Sequence, residues 1–279
     1  SGVSQQIATL ERIVDHQLLV RHAGGRRPVE TTSVGEVFLT HAKDVLAKID
    51  EAYRDLTARE ADAANVVRLA AFPSAAVHLL PQLLAELRAS TALVVELQEA
   101  RSHAQLVSSL DDATAELVIA PLPLPPHLVA EEIGEDPYVA VVAAGSRLAG
   151  RPGVSISELA GLPIIGIERC PHEEVVESHL RTYGLDLSRF QRYEDNQLIQ
   201  ALAAQGPAVA IVPSLVVEGA DDSVAVLRLH ASVPPRTLVL AQHRDRLLSP
   251  AARELKQRAL PLLRSLVARR QPERRAEAG

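Results

Sequence analysis

"NVVRLAAFPSAAVHLLPQLLAEL" (residues 65–87) decides the fold class. Its first eight residues form an almost continuous apolar run, long enough for a strand and short for a helix. From Ser74 onward the period changes, and Leu79, Leu80, Leu83, Leu84 and Leu87 recur at helical spacing. A continuous apolar strand that feeds an amphipathic helix is the unit of a parallel, doubly covered sheet. The unit repeats as strand "ALVVELQEA" (92–100), helix "SHAQLVSSL" (102–110) and strand "AELVIAPL" (115–122).

Downstream, "PLPLPP" (121–126) interrupts the alternation, and "DPYVAVVAAG" (136–145) reads as a strand bounded by Gly145. A second α/β set follows. Strand "PIIGI" (163–167), helix "PHEEVVESHLRTYG" (171–184), strand "RFQRYED" (189–195), helix "NQLIQALAAQG" (196–206) and strand "AVAIVP" (208–213) are expected in that order. Strand "RTLVLAQHR" (236–244) and a helix from Pro250 to about Val267 close the domain. Residues 65–268 thus read as two α/β lobes. The tail "RRQPERRAEAG" (269–279) is charged, lacks an apolar period and is expected to be disordered.

Upstream the pattern is purely helical. In "SGVSQQIATLE" (1–11) and the residues after it, Val3, Ile7, Leu10 and Val14 share one face of a helix running to about Asp15. "LLVRHAGGRRPVETT" (18–32) then places a Gly24-Gly25 turn beside Arg26 and Arg27. A long helix follows from about Ser33 to Asp62, roughly eight turns. Ser33 with Glu36 fits a capping box, and Thr32 fits the cap equally well. Val34, Phe38, Val45, Ile49, Ala52 and Leu56, with Ala42 between, make one heptad-like seam. Such a seam pairs with another helix; the alternative is that it lies on its own domain.

Composition sets the bounds. The chain of 279 residues has room for two cores, and 47% hydrophobic with 23% charged residues is ordinary for a globular protein. Aromatics contribute 3%, so the core is aliphatic. No run of about 18 uncharged apolar residues argues for a membrane span. No basic-then-apolar start suggests export. One cysteine, Cys170, precludes an internal disulfide framework and fits a reducing cytosol. Net charge of −6 does not decide against nucleic acid, because footprints follow local charge. With no Met in the chain, residues upstream of Ser1 are expected to be absent from this sequence.

Over essentially its full length the chain resembles the LysR-type transcriptional regulators of bacteria. "VSQQIATLE" (3–11) is similar to the recognition helix of their winged helix-turn-helix, "LLVR" (18–21) stands for a Leu-Phe-Arg run, and "GRRPVETTSVGE" (25–36) for the wing and linker start. "HLLPQLLAEL" (78–87) is similar to the first helix of the effector domain. "AELVIA" (115–120) places Glu116 where an Asp is usual, and "ALAAQGPAVAIVP" (201–213) resembles a late helix-turn-strand. Two departures stand out: Asp15-His16 replaces a Gly-containing turn, and Pro207 interrupts a stretch that is commonly Gly-x-Gly.

The resemblance implies a fold and a set of partners. A partial winged helix-turn-helix (1–32) and a linker and dimerisation helix (33–62) precede a two-lobed α/β effector domain of periplasmic-binding-protein type (65–268). A cytoplasmic regulator is implied that needs no cofactor or membrane. It binds double-stranded DNA and a small-molecule effector of unknown identity, and pairs with itself as a homodimer through 33–62 and plausibly a homotetramer.

The residues suit these roles. Ser1, Ser4, Gln5 and Gln6 begin the first helix, where short donors and acceptors reach base edges. Arg21, Arg26 and Arg27 suit phosphates or a minor groove. Without the resemblance, a Ser/Gln helix face reads as merely solvated. Ligands of open α/β sheets sit beyond the carboxyl ends of strands. Ser74, Ser102, Ala120, Pro121, Gly166, Glu168 and Asn196 therefore form the expected effector cleft. Ordinary helix capping explains Ser74 and Ser102 as well. Largely apolar lining suggests a small, partly apolar acid or amino-acid-like effector.

Catalytic and metal readings are weaker. Cys170 lies two residues from His172, but a nucleophile and base need spatial approach and an orienting partner. His172-Glu173-Glu174 lacks a His at the next turn, with His179 seven along, so metalloprotease spacing fails. No phosphate-binding Gly loop is present. Neither a catalytic nor a metal site is expected, and the chain reads as no enzyme. A ligand-binding module of solute-binding type without DNA function accounts for 65–268 equally well, but leaves the heptad helix and the Arg-tipped turn unexplained.

Overall fold

A 13-residue helix, α1 (Gly2–Val14), opens the structure, a computed structural model that describes residues 2–20, 30–57, 65–168, 173–188, 190–230 and 233–270. The chain divides into two compact units, Ser1–Glu60 and Ala61–Gly279, and each is described by itself. In the first unit no residue of α1 is buried; Val3 is 66% exposed, and Ile7 and Val14 are half-covered. Asp15 ends α1 with φ 54°, the left-handed conformation that glycine favours and that Asp tolerates better than most residues. The Asp15-His16 turn thus keeps the backbone path of a glycine turn. Glu11 then accepts the amides of Leu18 (2.9 Å) and Leu19 (3.2 Å), tying α1 to a two-stranded ribbon of β1 (Leu19–Val20) and β2 (Glu30–Thr31).

The long helix α2 covers Ser33–Thr57. Its cap is Thr32, not a Ser33 box: Thr32 Oγ1 accepts the Gly35 amide at 2.9 Å and donates to the Gln17 carbonyl at 2.7 Å. Only glycine fits at 35, because a Cβ there would stand 2.0 Å from the Leu18 carbonyl oxygen. Val34 (43%), Val45 (58%) and Ile49 (47%) of the expected seam are exposed, as are Val37, Leu39 and Leu46 beside it. Ala47 alone of the described apolar α2 side chains is buried.

The second unit begins with β3 (Val66–Ala71). The expected single helix after it is two, α3 (Pro73–His78) and α4 (Leu80–Ser90). Pro81 near the start of α4 lacks an amide hydrogen, so it cannot continue the hydrogen-bond ladder of α3 and the helix restarts there. Then follow β4 (Val94–Glu99), α5 (His103–Asp111), β5 (Leu117–Pro121), β6 (Leu128–Asp136) and β7 (Tyr138–Ala143). The rest comprises β8 (Gly153–Val154), β9 (Ile164–Ile167), α6 (Glu173–Thr182), β10 (Gln191–Tyr193) and α7 (Asn196–Gln205). Last come β11 (Val209–Pro213), β12 (Val224–Leu229), β13 (Arg236–His243) and α8 (Pro250–Arg270).

Two sheets result. Lobe I has the order β4-β3-β5-β13-β6, and lobe II the order β10-β9-β11-β7-β12-β8. Neither is purely parallel, contrary to the sequence-based expectation. β13 runs antiparallel to β5 and β6, and β7 antiparallel to β11 and β12. The reason is the path of the chain, which leaves lobe I through β6 and Pro137 and returns from lobe II through β13. A strand entering from the other lobe must run against β3 and β5. Leu69, Leu80, Leu83, Leu110, Leu117 and Leu263 are among the fully covered residues of lobe I, each contributing about 1.5–3 kcal/mol by burial. Lobe II packs both sheet faces, one against Val176 and Leu180 of α6 and one against Ile199 and Ala203 of α7.

Two further differences concern ends and edges. Glu116 accepts the Ser249 amide at 3.2 Å and so joins β5 to the start of α8. At its far end α8 runs past Val267 to Arg270, which pairs with Glu218 at 2.7 Å and donates to the His78 carbonyl at 2.9 Å; residues 271–279 lie outside the described residues.

Candidate functional site

Both lobes contribute to one cavity of about 60 Å³. Its walls begin where parallel strands end. Phe72, Pro73 and Ser74 follow β3, Ala100 to His103 follow β4, and Pro121 ends β5. Across from them, Ile167 ends β9, Glu168 follows it, and Glu194 and Asn196 follow β10. This is the place the sheet topology provides for a ligand.

Arg236 is the charged centre of the lobe crossing. It is 3% exposed and stands directly opposite Asp136, itself 2% exposed, in the β13–β6 register. Its Nε donates to Asp136 Oδ2 at 2.8 Å, its Nη2 donates to the same oxygen at 2.7 Å and to Ser74 Oγ at 3.0 Å, and its guanidinium lies 4.7 Å over the Phe72 ring. Asp136 Oδ1 accepts from Ser214 Oγ at 2.7 Å and the Leu215 amide at 3.1 Å. Asp136 therefore binds a lobe I strand to the lobe II segment after β11. A buried ion pair persists when its remaining donors and acceptors are filled, as these are.

Ser102 caps α5, its Oγ accepting the Gln105 amide at 3.2 Å. The first amides of a helix have no intrahelical acceptor and favour anions. Beside it, His103 is half-buried with its Nδ1 lacking a hydrogen-bond partner. Burial lowers its pKa below the usual 6.5, opposed by the Pro123 backbone. The lining is thus divided: Arg101, His103 and the α5 start on lobe I face the carboxylates Glu168 and Glu194 on lobe II, with Phe72, Leu106 and Ile167 as apolar wall.

Of the expected effector residues, Ser74, Ser102, Pro121, Glu168 and Asn196 line this cavity. Ala120 is fully buried within β5 between β3 and β13 and does not line it. Gly166 turns the other way: a Cβ there would meet the Phe190 ring at 2.6 Å, on the α6 side of β9. Side chains alternate along a strand, so Ile167 reaches the cavity instead, and Glu168, past the end of β9, lines it as well. Ser74 is not a cap, since α3 has no side-chain cap bond; its hydroxyl serves Arg236. Arg236, Arg101, His103 and Glu194 were missed. "RTLVLAQHR" carried a signal, an Arg just ahead of the apolar run Leu238–Ala241.

Among the expected DNA-reading residues, Ser4, Gln5 and Gln6 are exposed in the first turns of α1. Ser1, Arg21, Arg26 and Arg27 lie outside the described residues, as do Cys170 and His172. Among the described residues no helix is long and apolar enough to cross a membrane.

Residues 60–264 match the family model of the LysR substrate binding domain. The probable HTH-type transcriptional regulator LrrA of Synechococcus elongatus is 28% identical over 216 residues, 77% of this chain and 72% of that protein. Full-length CbnR complexed with its target DNA superposes with TM-score 0.61 at 20% identity, covering 94% of this chain and 89% of that one. The effector binding domain of QuiR in complex with shikimate gives TM-score 0.63 at 16% identity, over 72% of this chain and 97% of that domain. With a family model spanning most of its length, this chain belongs to the LysR family of transcriptional regulators.

Proposed function

We propose that the protein is a cytoplasmic, sequence-specific DNA-binding regulator whose action is set by a small molecule in the interlobe cavity. Residues 1–32 read DNA, 33–62 pair two copies, and 65–268 bind the effector. One observation carries the effector half: a cavity at the strand ends is walled by both lobes and backed by the Arg236–Asp136–Ser74 network at their crossing. A ligand there touches both lobes at once, so its affinity depends on their arrangement. That differential affinity is what a switch requires. The DNA half is supported by the exposed Ser4, Gln5 and Gln6 and by the family; CbnR, a neighbour in fold, is a protein seen with target DNA.

The lining narrows the effector class. A carboxylate suits the α5 start with Ser102 and Arg101, an amino group suits Glu168 and Glu194, and a short apolar body suits Phe72, Leu106 and Ile167. The effector is accordingly a small amphoteric or carboxylic metabolite. Fluorescence anisotropy with the full chain tests the reading: its own upstream region should bind at least tenfold tighter than random duplex. Equal affinities would sink the DNA reading. Thermal shift against small carboxylic and amino acids should find a compound that raises the melting temperature, because a ligand stabilises by mass action. The Ser102→Trp variant, which fills the cavity, should lose that response. A response retained in Ser102→Trp would place the effector elsewhere.

A further inference from the structure

A second cluster of ligand-type side chains lies at the opposite end of lobe I from the cavity. Asp111 ends α5, His127 directly precedes β6, and His243 ends β13. Arg236 at the cavity and His243 are the two ends of one strand, about 23 Å apart at the rise of an extended chain. One carboxylate oxygen and one nitrogen from each imidazole all lie within 4.8 Å of one another. His127 Nε2 and Asp111 Oδ1 are 2.9 Å apart, and the two imidazole rings are tilted 44° with centroids 5.5 Å apart.

The framework holds these three positions together. His243 pairs with Leu128 in the β13–β6 register, and the Arg244 amide donates to the His127 carbonyl at 2.9 Å. Arg246 donates to the carbonyls of Leu110 and Asp111, fixing the end of α5. All three ligand residues are half-buried, which leaves room for water ligands. Two donors bound at about 2.1 Å in tetrahedral geometry lie about 3.4 Å apart. The spacing here brackets that value, so side-chain rotation alone closes the set.

We propose that Asp111, His127 and His243 form a binding site for a divalent transition-metal ion of the zinc class, separate from the effector cavity. Two imidazoles with one carboxylate suit zinc, cobalt, nickel or copper, and do not suit magnesium or calcium, which take oxygen donors. The Asp245 amide donates to His243 Nδ1 at 3.2 Å, a long contact that ligation by either nitrogen replaces. Arg246 opposes the ion's charge and the Asp111 carboxylate balances it, so the site is of moderate affinity. An ion there ties the end of α5 to the distal ends of both strands that pass between the lobes.

The test uses the full chain after chelator treatment and dialysis. Isothermal titration with zinc, and cobalt(II) absorption as a second readout, should show one ion per chain with His127→Ala and His243→Ala each weakening it at least tenfold. Magnesium should not compete. The His179→Ala and Cys170→Ser variants should bind as the parent does, and circular dichroism should show both His→Ala variants folded at 25 °C. Unchanged zinc affinity in the His127→Ala/His243→Ala double variant overturns the proposal, and so does the absence of saturable binding in the parent.

Discussion

Replacing one member of the Arg236–Asp136 pair should be among the most damaging single changes in the effector domain. Both side chains are almost completely buried, and Arg236 makes two contacts to one Asp136 oxygen. Removing one partner of such a pair leaves an uncompensated charge in a poorly hydrated site, at a cost of about 3–5 kcal/mol. The two single variants should differ. Arg236→Met leaves Asp136 with the Ser214 hydroxyl and the Leu215 amide, which still stabilise the carboxylate, so the lower end of that range is expected. Asp136→Leu removes the anion beneath a guanidinium that keeps the Ser74 hydroxyl and the Phe72 face, and the upper end is expected. At about 2–4 °C per kcal/mol for a domain of this size, the melting temperature should fall by roughly 6–20 °C. The double variant, Arg236→Met with Asp136→Leu, should lose clearly less than the two singles summed, because no unpaired charge remains. Urea unfolding followed by circular dichroism reads all four proteins. An Asp136→Leu cost below about 1 kcal/mol, or strict additivity in the double variant, would refute the reasoning, since either means that the charges are not held in a shielded site.

Three other outcomes follow from the structure. Ile49→Asp in the exposed seam of α2 should weaken self-association more than tenfold; light scattering that finds the same mass at micromolar concentration would count against pairing through this helix. Gly166→Ala should cost about 1–3 kcal/mol by overpacking against Phe190 while leaving effector affinity unchanged, and a selective loss of affinity would mean that Gly166 faces the ligand after all. Burial lowers the pKa of His78, His103 and His243 below 6.5, so as pH falls through that value the unfolded chain takes up protons before the folded one, and stability must drop. Melting temperature should decline from pH 7 to 5.5, less steeply in His103→Gln; a flat profile would contradict the burial of these imidazoles.

Legibility in the sequence followed the strength of local signals. β3, β5, β9 and β11 were readable because burial on both faces makes each a short apolar run, whereas β4, an exposed edge strand, was readable only from its Val94-Val95 start. β6 escaped notice: Glu131, Glu132, Glu135 and Asp136 give it the composition of a solvated segment, as its place at the sheet edge allows. β12 was also passed over, its half-exposed pattern offering no comparable contrast. In the cavity, Ser102 was legible as a residue between strand and helix. Arg236 was not, because nothing local says that Asp136, a hundred residues earlier, stands opposite it. The Asp111, His127 and His243 cluster was invisible for the same reason.

The sequence by itself determined the alternation of strand and helix, the long heptad helix, and the strand ends at which a ligand site must lie, because periodicity and burial are local properties. Only the tertiary structure decided the direction in which β7 and β13 run, which face Gly166 presents, and which distant charges meet at the lobe crossing. Those depend on a chain that passes from one lobe to the other and back, and the juxtapositions it creates have no counterpart along the sequence.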